Sequence, residues 1–183
     1  MTAAILLAAG AGRRFGMPKA LAEIDGEPLV RNALRVLSDA GCAPVRVVVG
    51  AAADQVLALL PDGVAVVAED WERGMSASLR AGLLAMLALE PVPDAALIHL
   101  VDLPGVGVEA VRRVAALAGP DVLARAAYAG EPGHPVLIGR RYWDDVLSDL
   151  AGDQGARGWL AGRDVRLVEC GDVASGRDLD YRS

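Results

Sequence analysis

The chain has 183 residues, which suffices for one substantial hydrophobic core and is short for two. Hydrophobic residues account for 54% of it and aromatic residues for only 4%, so we expect a core of Ala, Val and Leu, as in buried parallel strands and the helices that cover them. The formal net charge of −6 argues against a nucleic-acid partner, and no apolar segment approaches the ~18 residues of a membrane-spanning helix. These properties predict a single cytoplasmic domain, residues 1–183, with no membrane association.

The first two thirds of the sequence alternate apolar strands with amphipathic helices. Continuous apolar runs predict strands over residues 4–9, 45–50, 64–68 and 96–101. Apolar residues at helical spacing predict helices over residues 28–40, 54–60, 75–89 and 108–117. This βαβ repetition predicts an α/β protein with a mostly parallel sheet and helices on both faces, a Rossmann-like three-layer α/β/α sandwich.

After Pro120 the alternation loosens. An apolar run in VLARAAY is followed by an expected turn over GEPGHP and a second apolar run in PVLIG. We then expect a helix over residues 141–150, a short helix opened by GDQGAR, and a last strand in DVRLVE. His99 is interpreted as a core histidine with satisfied hydrogen bonds, and His134 as part of the turn. Cys42 and Cys170 are far apart without a CxxC motif, which fits a reducing compartment and argues against structural zinc.

A loop rich in glycine and cations follows the first strand, in the sequence LAAGAGRRFGMPKAL. Gly10, Gly12 and Gly16 would let the backbone adopt positive φ and bring successive N–H groups close to phosphate oxygens. The three cations of the loop, Arg13, Arg14 and Lys19, supply positive charge at the edge where such folds bind anions. A phosphate site is therefore predicted, and the alternative is a glycine-rich turn with solvated arginines.

Two common phosphate motifs do not fit this loop. Gly16 is followed by Met17 rather than by Lys and Ser or Thr, so the loop is not a Walker A motif, and Phe15 occupies the place of the third glycine of GxGxxG. A dinucleotide site also needs an acidic residue near the end of the second strand, and the first one there is Asp54. These departures argue against NAD as a ligand.

Three further segments carry candidate groups. Asp102 stands where an apolar strand ends, either as a ligand of Mg²⁺ bound to a triphosphate or as the cap of a turn. Ser76 lies at the start of the long helix, where it either faces a ligand or caps the helix. Trp71 is interpreted as a packing residue. Arg157 lies in the first turn of a helix, where it either meets an anionic ligand or pairs with Asp153.

The chain as a whole resembles the MobA-like nucleotidyltransferase family, and within it most closely the molybdenum cofactor cytidylyltransferases. The resemblance rests on five segments in order: LAAGAGRRFGMPKAL, WERGMSASLRAG, VDLP, PGHPVLIGRRYWDDVLSDLAGDQGAR and the closing DLD. It implies a fold like that of the nucleotide-diphospho-sugar transferases. It also implies an enzyme that moves a nucleotide from a nucleoside triphosphate to a phosphate or similar acceptor, with Mg²⁺ and with release of pyrophosphate.

The resemblance further implies roles for individual residues. Lys19 matches the catalytic lysine of the family, and Asp102 and Asp180 match its metal ligands, with Asp178 as the substitute for Asp180 because the closing motif continues as DLDYRS. Arg14 completes the implied catalytic group. The implied nucleotide contacts are Leu7, Ala8, Ala9, Gly10, Gly12, Arg13, Lys19, Gly74 and Ser76, and the implied substrate contacts are Ser78 and Arg157.

The form LAAG, where the guanylyltransferases of the family typically have LAGG, favours CTP, as does GDQGAR. The implied acceptor is the phosphate of molybdopterin, and a molybdoenzyme is a possible recipient of the product. Within the same class, the alternatives are a guanylyltransferase and a transferase for another small phosphate or sugar phosphate. Outside it, they are a nucleotide-binding regulatory or chaperone module without turnover, and a dinucleotide-dependent oxidoreductase.

Overall fold

The computed structural model of the protein describes residues 2–179, which form a central seven-stranded sheet covered by helices. The order of its strands is β5-β4-β1-β6-β8-β7-β9. A separate two-stranded sheet pairs β2 with β3. The strands are β1 (Ala3–Ala8), β2 (Glu23–Ile24), β3 (Glu27–Pro28), β4 (Val45–Val49), β5 (Ala65–Val67), β6 (Ala95–Leu100), β7 (Leu123–Tyr128), β8 (Glu131–Gly139) and β9 (Arg166–Glu169).

The helices of the described part are short to medium in length. They are α1 (Leu29–Asp39), α2 (Ala53–Leu57), α3 (Met75–Leu87), α4 (Val108–Ala115), α5 (Trp143–Asp149) and α6 (Arg157–Leu160). Single 3₁₀ turns cover Lys19–Leu21, Trp71–Arg73 and Arg140–Tyr142. Between residues 2 and 179, none of these helices has both the length and the apolar character needed to cross a membrane.

The sheet is buried on both faces because its strands are continuously apolar. In β1 every side chain is buried. Leu6 and its neighbours on one face pack with the buried side of α1 and α4, whereas Ile5 faces α3, α5 and α6. Helix α3 approaches β1 so closely that a Cβ atom on Gly82 would lie 2.6 Å from the Ile5 Cγ2 atom. This close contact holds α3 in a fixed position beside β1.

The predicted fold class is confirmed. Parallel pairing joins β5, β4, β1 and β6, and it also joins β7 to β9, while β8 runs antiparallel to both of its neighbours. The carboxyl ends of β1 and β6 therefore meet at one edge, where ligands bind in sheets of this kind. The loop after β1 and Asp102 after β6 lie at this edge.

The predicted turn over GEPGHP is wrong. The reversal is confined to Ala129 and Gly130, both with positive φ, and β8 already begins at Glu131, so His134 lies in a strand. The Glu169 carboxylate accepts hydrogen bonds from the N–H groups of Gly171, Gly130 and Ala129, and these bonds lower its pKa. The side chain of Glu169 thus ties the hairpin turn to the end of β9.

The interpretation of His99 as a core histidine is confirmed, but its hydrogen bonding is not satisfied as predicted. Its side chain is 1% exposed, and its Nδ1 atom has no hydrogen-bond partner in the described part of the chain. Burial, with a smaller contribution from His134, lowers the pKa of His99 to about 3. The imidazole is therefore neutral at neutral pH, which limits the cost of its burial.

Candidate active site

A cleft of about 490 Å³ opens at the carboxyl edge of the sheet. Its walls come from four parts of the chain: the end of β1 with the loop that follows it, the start of α3, the end of β6, and the segment before α6. The lining residues are Leu7, Ala8, Ala9, Gly10, Ala11, Gly12, Arg13, Arg14, Phe15, Lys19, Ala20, Trp71, Glu72, Gly74, Met75, Ser78, Leu100, Val101, Asp102 and Asp153. The structure thus brings most of the predicted site residues to one cavity.

The glycine loop is a tight turn anchored by an aromatic side chain. Gly12 has a φ of 61°, and its carbonyl oxygen accepts a 2.8 Å hydrogen bond from the Gly16 N–H. A Cβ atom on Gly12 would collide with the Met17 carbonyl oxygen, so glycine is required there. Phe15 is 6% exposed and packs into the core below the loop. The loop is therefore held from beneath while its two arginines remain exposed.

Gly10 does not need positive φ, contrary to expectation. Its backbone is not left-handed, and a Cβ atom on Gly10 would have no other atom within 4 Å. Since Gly10 lines the cleft, its missing side chain leaves open space rather than relieving strain. The two glycines of the loop thus differ: Gly12 shapes the backbone, and Gly10 keeps the cavity free.

Lys19 and Asp102 face each other in the cleft. The Lys19 Nζ atom lies 2.8 Å from the Asp102 Oδ2 atom, and the two side chains are 16% and 19% exposed. Lys19 comes from the 3₁₀ turn after the loop, and Asp102 follows β6, so 83 residues separate the partners in sequence. Lys19 is also the one lysine among the 18 basic residues of the chain, which singles it out in the sequence.

The start of α3 forms the opposite wall. Gly74 has a φ of 112° and precedes the helix, and a Cβ atom there would collide with the Asp153 side chain. The residue-153 loop therefore packs directly against the glycine. Ser78 is 5% exposed but lines the cleft, and its hydroxyl makes no hydrogen bond within residues 2–179. The Ser78 hydroxyl is thus available to a ligand.

Ser76 neither caps α3 nor lines the cleft. Its hydroxyl donates to the Ala151 carbonyl oxygen at 2.9 Å and accepts from the Gly155 N–H at 3.1 Å. Its own N–H donates to the Gly152 carbonyl oxygen. These three bonds fasten the segment before α6 onto the start of α3, so Ser76 supports the wall of the cleft.

Several lining residues were missed or misread from the sequence. Glu72, Met75 and Asp153 lie in the wall, and Trp71 both packs against Gly50 and lines the cavity. Only the position of Trp71 carries a signal in the sequence, because a large aromatic side chain follows the short strand β5. The others depend on how the segment before α6 folds back onto α3, which short-range patterns do not reveal.

Two predicted residues lie away from the cavity or beyond the described chain. Arg157 is exposed, is not part of the cleft wall, and makes no ion pair within residues 2–179, so the predicted pairing with Asp153 is not formed. Asp180 lies outside the described residues. The described chain nevertheless leads to Asp102, because the Leu179 N–H donates to the Asp102 carbonyl oxygen at 3.0 Å. Asp178 is exposed one residue earlier.

The donor set suits a cation that arrives with phosphate. Across residues 2–179, no group of three or more His, Cys, Asp or Glu side chains could hold a metal ion alone. Asp102 offers a carboxylate to the cleft, and Mg²⁺ is commonly held by one or two carboxylates together with substrate phosphates. The residues present therefore fit a divalent cation that is bound jointly with a nucleotide.

Comparison with known proteins places this cleft in a family. The model of the MobA-like NTP transferase domain matches residues 4–169. The nicotine blue oxidoreductase of Paenarthrobacter nicotinovorans is 37% identical over 96% of this chain and 90% of that protein.

Two solved structures share the fold over nearly the whole chain. A nucleotidyl transferase from Methanothermobacter thermautotrophicus, Mth528, has a TM-score of 0.80 and 25% identity over 99% of this chain and 92% of that chain. The complex of Rv0371c from Mycobacterium tuberculosis with manganese has a TM-score of 0.75 and 27% identity, over 92% of this chain and 88% of that chain.

Proposed function

Since the chain belongs to the MobA-like NTP transferase family of nucleotidyltransferases, we propose that it moves CMP from CTP onto the phosphate of molybdopterin and releases pyrophosphate. The observation that carries the proposal is the Lys19–Asp102 pair, 2.8 Å apart in a cleft that the glycine and arginine loop also lines. Positive charge for a polyphosphate and a carboxylate for its counter-ion thus face the same space. A glycine-rich turn with solvated arginines would not need either feature.

Each part of the cleft has a distinct role in this proposal. The loop from Gly10 to Arg14 holds the β and γ phosphates through its amides and its two guanidinium groups. Lys19 neutralises charge on the α-phosphate, whose phosphorus is attacked in line with the bond to the leaving oxygen. Gly74 and Ser78 contact the nucleotide from the start of α3.

Asp102, together with Asp180 or Asp178, would hold the divalent cation. When bound, Mg²⁺ neutralises the leaving pyrophosphate and orients the phosphates. The manganese complex of Rv0371c supports a divalent cation in the family. The ammonium of Lys19 keeps the Asp102 carboxylate turned into the cleft.

The preference for cytosine rests on the first strand. Leu7 and Ala8 end β1, Ala9 follows the strand, and all three line the cavity, where the small side chains of the alanines leave space beside the main chain. A guanylyltransferase for the same cofactor is the alternative within this class.

Labelling of Lys19 tests the proposal without knowledge of the acceptor. Because Lys19 is the only lysine, an amine-directed phosphate aldehyde followed by reduction can modify only this side chain and the α-amino group. We expect CTP with Mg²⁺ to protect Lys19 more strongly than GTP does, as measured by peptide mass spectrometry. Equal labelling with and without every nucleotide would contradict the assignment of Lys19.

Turnover provides the second test. Lys19→Ala and Asp102→Ala should each lower pyrophosphate release with CTP, Mg²⁺ and molybdopterin by about 10²–10³-fold, the usual loss when a charge-stabilising group is removed. Arg31→Ala, on α1 away from the cleft, is the control. Binding of CTP without pyrophosphate release from any acceptor would instead favour a nucleotide-binding module.

A second candidate is an oxidoreductase, because the relative from Paenarthrobacter nicotinovorans bears that name. Against NAD as its cofactor stands the end of β4 at Val49, after which the first acidic residue is Asp54 in α2. Oxidation of NADH or NADPH by the purified protein with nicotine blue, followed by absorbance, would support this candidate.

A further inference from the structure

The wall of the cleft beside the start of α3 differs in charge from the loop after β1. We call it the α3 wall, and its lining residues are Trp71, Glu72, Gly74, Met75, Ser78 and Asp153. The cations that line the cavity, Arg13, Arg14 and Lys19, all come from the loop after β1 and the 3₁₀ turn that follows it. Among the described lining residues, the α3 wall is therefore acidic and apolar, and the positive charge lies elsewhere in the cleft.

The Asp153 carboxylate is held at the α3 wall without a partner. A Cβ atom on Gly74 would collide with the Asp153 Oδ1 atom, so the carboxylate uses the space that the missing side chain leaves. The Ser76 hydroxyl bonds Ala151 and Gly155, which lie two residues before and two residues after Asp153. Within residues 2–179 the Asp153 side chain makes no hydrogen bond and no ion pair. The carboxylate is thus fixed in place with its acceptor capacity unused.

The charge of the α3 wall argues against a phosphate ligand there. Asp153 already supplies the negative charge that the N-terminus of a helix favours. A second carboxylate, that of Glu72, lines the same wall, and both would repel an added anion. Carboxylate oxygens instead accept strong hydrogen bonds from N–H and O–H groups. A ligand that suits this wall therefore presents hydrogen-bond donors rather than negative charge.

The Ser78 hydroxyl is a second unpaired group of the α3 wall. Ser78 is 5% exposed and lines the cleft, and its hydroxyl makes no hydrogen bond in the described part of the chain. It follows Gly74 by four residues, which places it on the same face of α3, about 6 Å further along the helix axis. Because a hydroxyl can donate one hydrogen bond and accept two, Ser78 can donate to a second ligand while it accepts a bond from the nucleotide.

Trp71 and Met75 give the α3 wall apolar surface. The Trp71 side chain lies so close to the chain after β4 that a Cβ atom on Gly50 would be 2.5 Å from the Trp71 Cγ atom. Met75 is 38% exposed although it is apolar. Aromatic and thioether side chains pack well against planar rings. Apolar surface beside a few unpaired polar groups is typical of a site for a flat ring with a polar edge.

From this arrangement we infer that the α3 wall binds the heteroaromatic ring of the acceptor, with the Asp153 carboxylate on two adjacent N–H donors of the ring edge. A pterin has such an edge, because an amino group and a ring N–H lie side by side and a carbonyl oxygen follows them. The two Asp153 oxygens would accept from the two donors, and the Ser78 hydroxyl would donate to the carbonyl oxygen. The inference rests on the proposed transfer to molybdopterin and identifies residues that select its ring.

Pteridine fluorescence tests the inference without turnover. Pterin is titrated into protein saturated with CTP and Mg²⁺, and lumazine, in which an oxygen replaces the amino group, is the matched ligand. We expect saturable binding of pterin and about tenfold weaker binding of lumazine, because the lumazine oxygen would face the Asp153 carboxylate. Asp153→Asn should remove the preference for pterin, and Asp164→Asn, at an exposed carboxylate that does not line the cleft, should retain it.

Two results of this titration would overturn the inference. One is equal affinity of the wild-type protein for pterin and lumazine, which would show that no carboxylate reads the amino group. The other is the absence of saturable pterin binding to the CTP-bound protein, which would show that the α3 wall holds no ring beside the nucleotide.

Steady-state kinetics gives a separate readout. Asp153→Asn should raise the KM for molybdopterin about tenfold, as expected for loss of hydrogen bonds to a charged group, and leave the Kd for CTP unchanged. Asp164→Asn should change neither constant. An unchanged KM for molybdopterin in Asp153→Asn would contradict the assignment of Asp153. If the wild-type protein releases no pyrophosphate, the proposed transfer fails, and the pterin titration still decides whether the α3 wall binds the ring.

Discussion

The central sheet has two halves, one with β1, β4 and β5 and the other with β7 and β8, and the two halves carry their polar groups in different places. On the side of β1, β4 and β5, the strands are apolar apart from Arg46, and the chemistry lies in loops beyond their ends. On the side of β7 and β8, polar side chains lie within the strands themselves, among them Arg125, Tyr128 and His134. Polar groups near the first side thus lie in loops beyond the strands, and those on the second side lie within the strands.

The comparison shows where each side is sensitive to substitution. A site formed by backbone amides depends on glycine conformation and on tight packing below it. Polar side chains within strands are partly buried, so replacing a titratable one should change how stability depends on pH. Substitutions and pH changes on the two sides test this difference.

Gly12→Ala should abolish measurable CTP binding and lower the melting temperature. Positive φ costs an L-residue roughly 1–2 kcal/mol, and the new Cβ atom would also collide with the Met17 carbonyl oxygen. Calorimetry with CTP and thermal unfolding measure the two effects. Gly10→Ala is the matched control, because its Cβ atom meets nothing: it should weaken binding without lowering the melting temperature. Equal stability of the two variants would refute the distinction.

Gly82→Val should destabilise the fold by about 1–3 kcal/mol, the usual cost of overpacking a core. Its Cβ atom would lie 2.6 Å from the Ile5 Cγ2 atom, under the first strand. Urea unfolding measures the loss. Leu84→Val, at a position that is 51% exposed on the same helix, should change stability far less. Comparable losses would show that α3 can move away from β1.

Acidification should destabilise the protein through its two histidines. Both have folded pKa values below the ordinary 6.5, about 3 for His99 and about 4 for His134, so the unfolded chain binds more protons below pH 6.5. Stability should therefore fall as pH decreases from 6.5 to 5, by up to about 1.4 kcal/mol per pH unit for each histidine. Urea unfolding across this range measures the slope.

His99→Leu separates the two contributions. It removes one titrating group together with the unpartnered Nδ1 atom, so about half of the slope should disappear and stability at pH 7 should not decrease. A variant with the wild-type slope would show that His99 does not contribute.

Arg113→Gln should have the smallest effect. Arg113 makes two hydrogen bonds to Asp172 at 2.7 and 2.9 Å, yet the Asp172 side chain is 62% exposed, and exposed ion pairs contribute little. The melting temperature should hardly change, and the small change should vanish in high salt. A large, salt-independent loss would indicate that the pair anchors the chain after β9.

Much of the first side could be predicted from sequence because its signals are local. The run from Ala4 to Ala9 is apolar throughout and ends at glycine, and β1 is observed at Ala3–Ala8. Because β1 and β6 are neighbouring parallel strands, the loop that leads to Lys19 and the strand end that carries Asp102 lie at the same edge of the sheet. The catalytic roles of these two residues stay predictions.

The second side could not be predicted because its pairing is supported by side chains. Pro132 and Pro135 lack N–H donors, so the start of β8 reads as a turn. In the structure the ladder shifts register between Arg125 and Ala127, and Arg125 and Tyr128 donate to the carbonyl oxygens of Gly133 and His134. Side-chain hydrogen bonds of this kind leave no periodic pattern in the sequence.

The Ser76 hydroxyl has a consequence for how a ligand enters. By bonding Ala151 and Gly155, which lie 75 and 79 residues after Ser76, it joins the start of α3 and the segment before α6 into one unit before any nucleotide arrives. Little conformational entropy then remains to be lost on binding, which is the benefit of preorganisation. The amide hydrogen of Gly155 should accordingly exchange slowly with solvent even in the ligand-free protein.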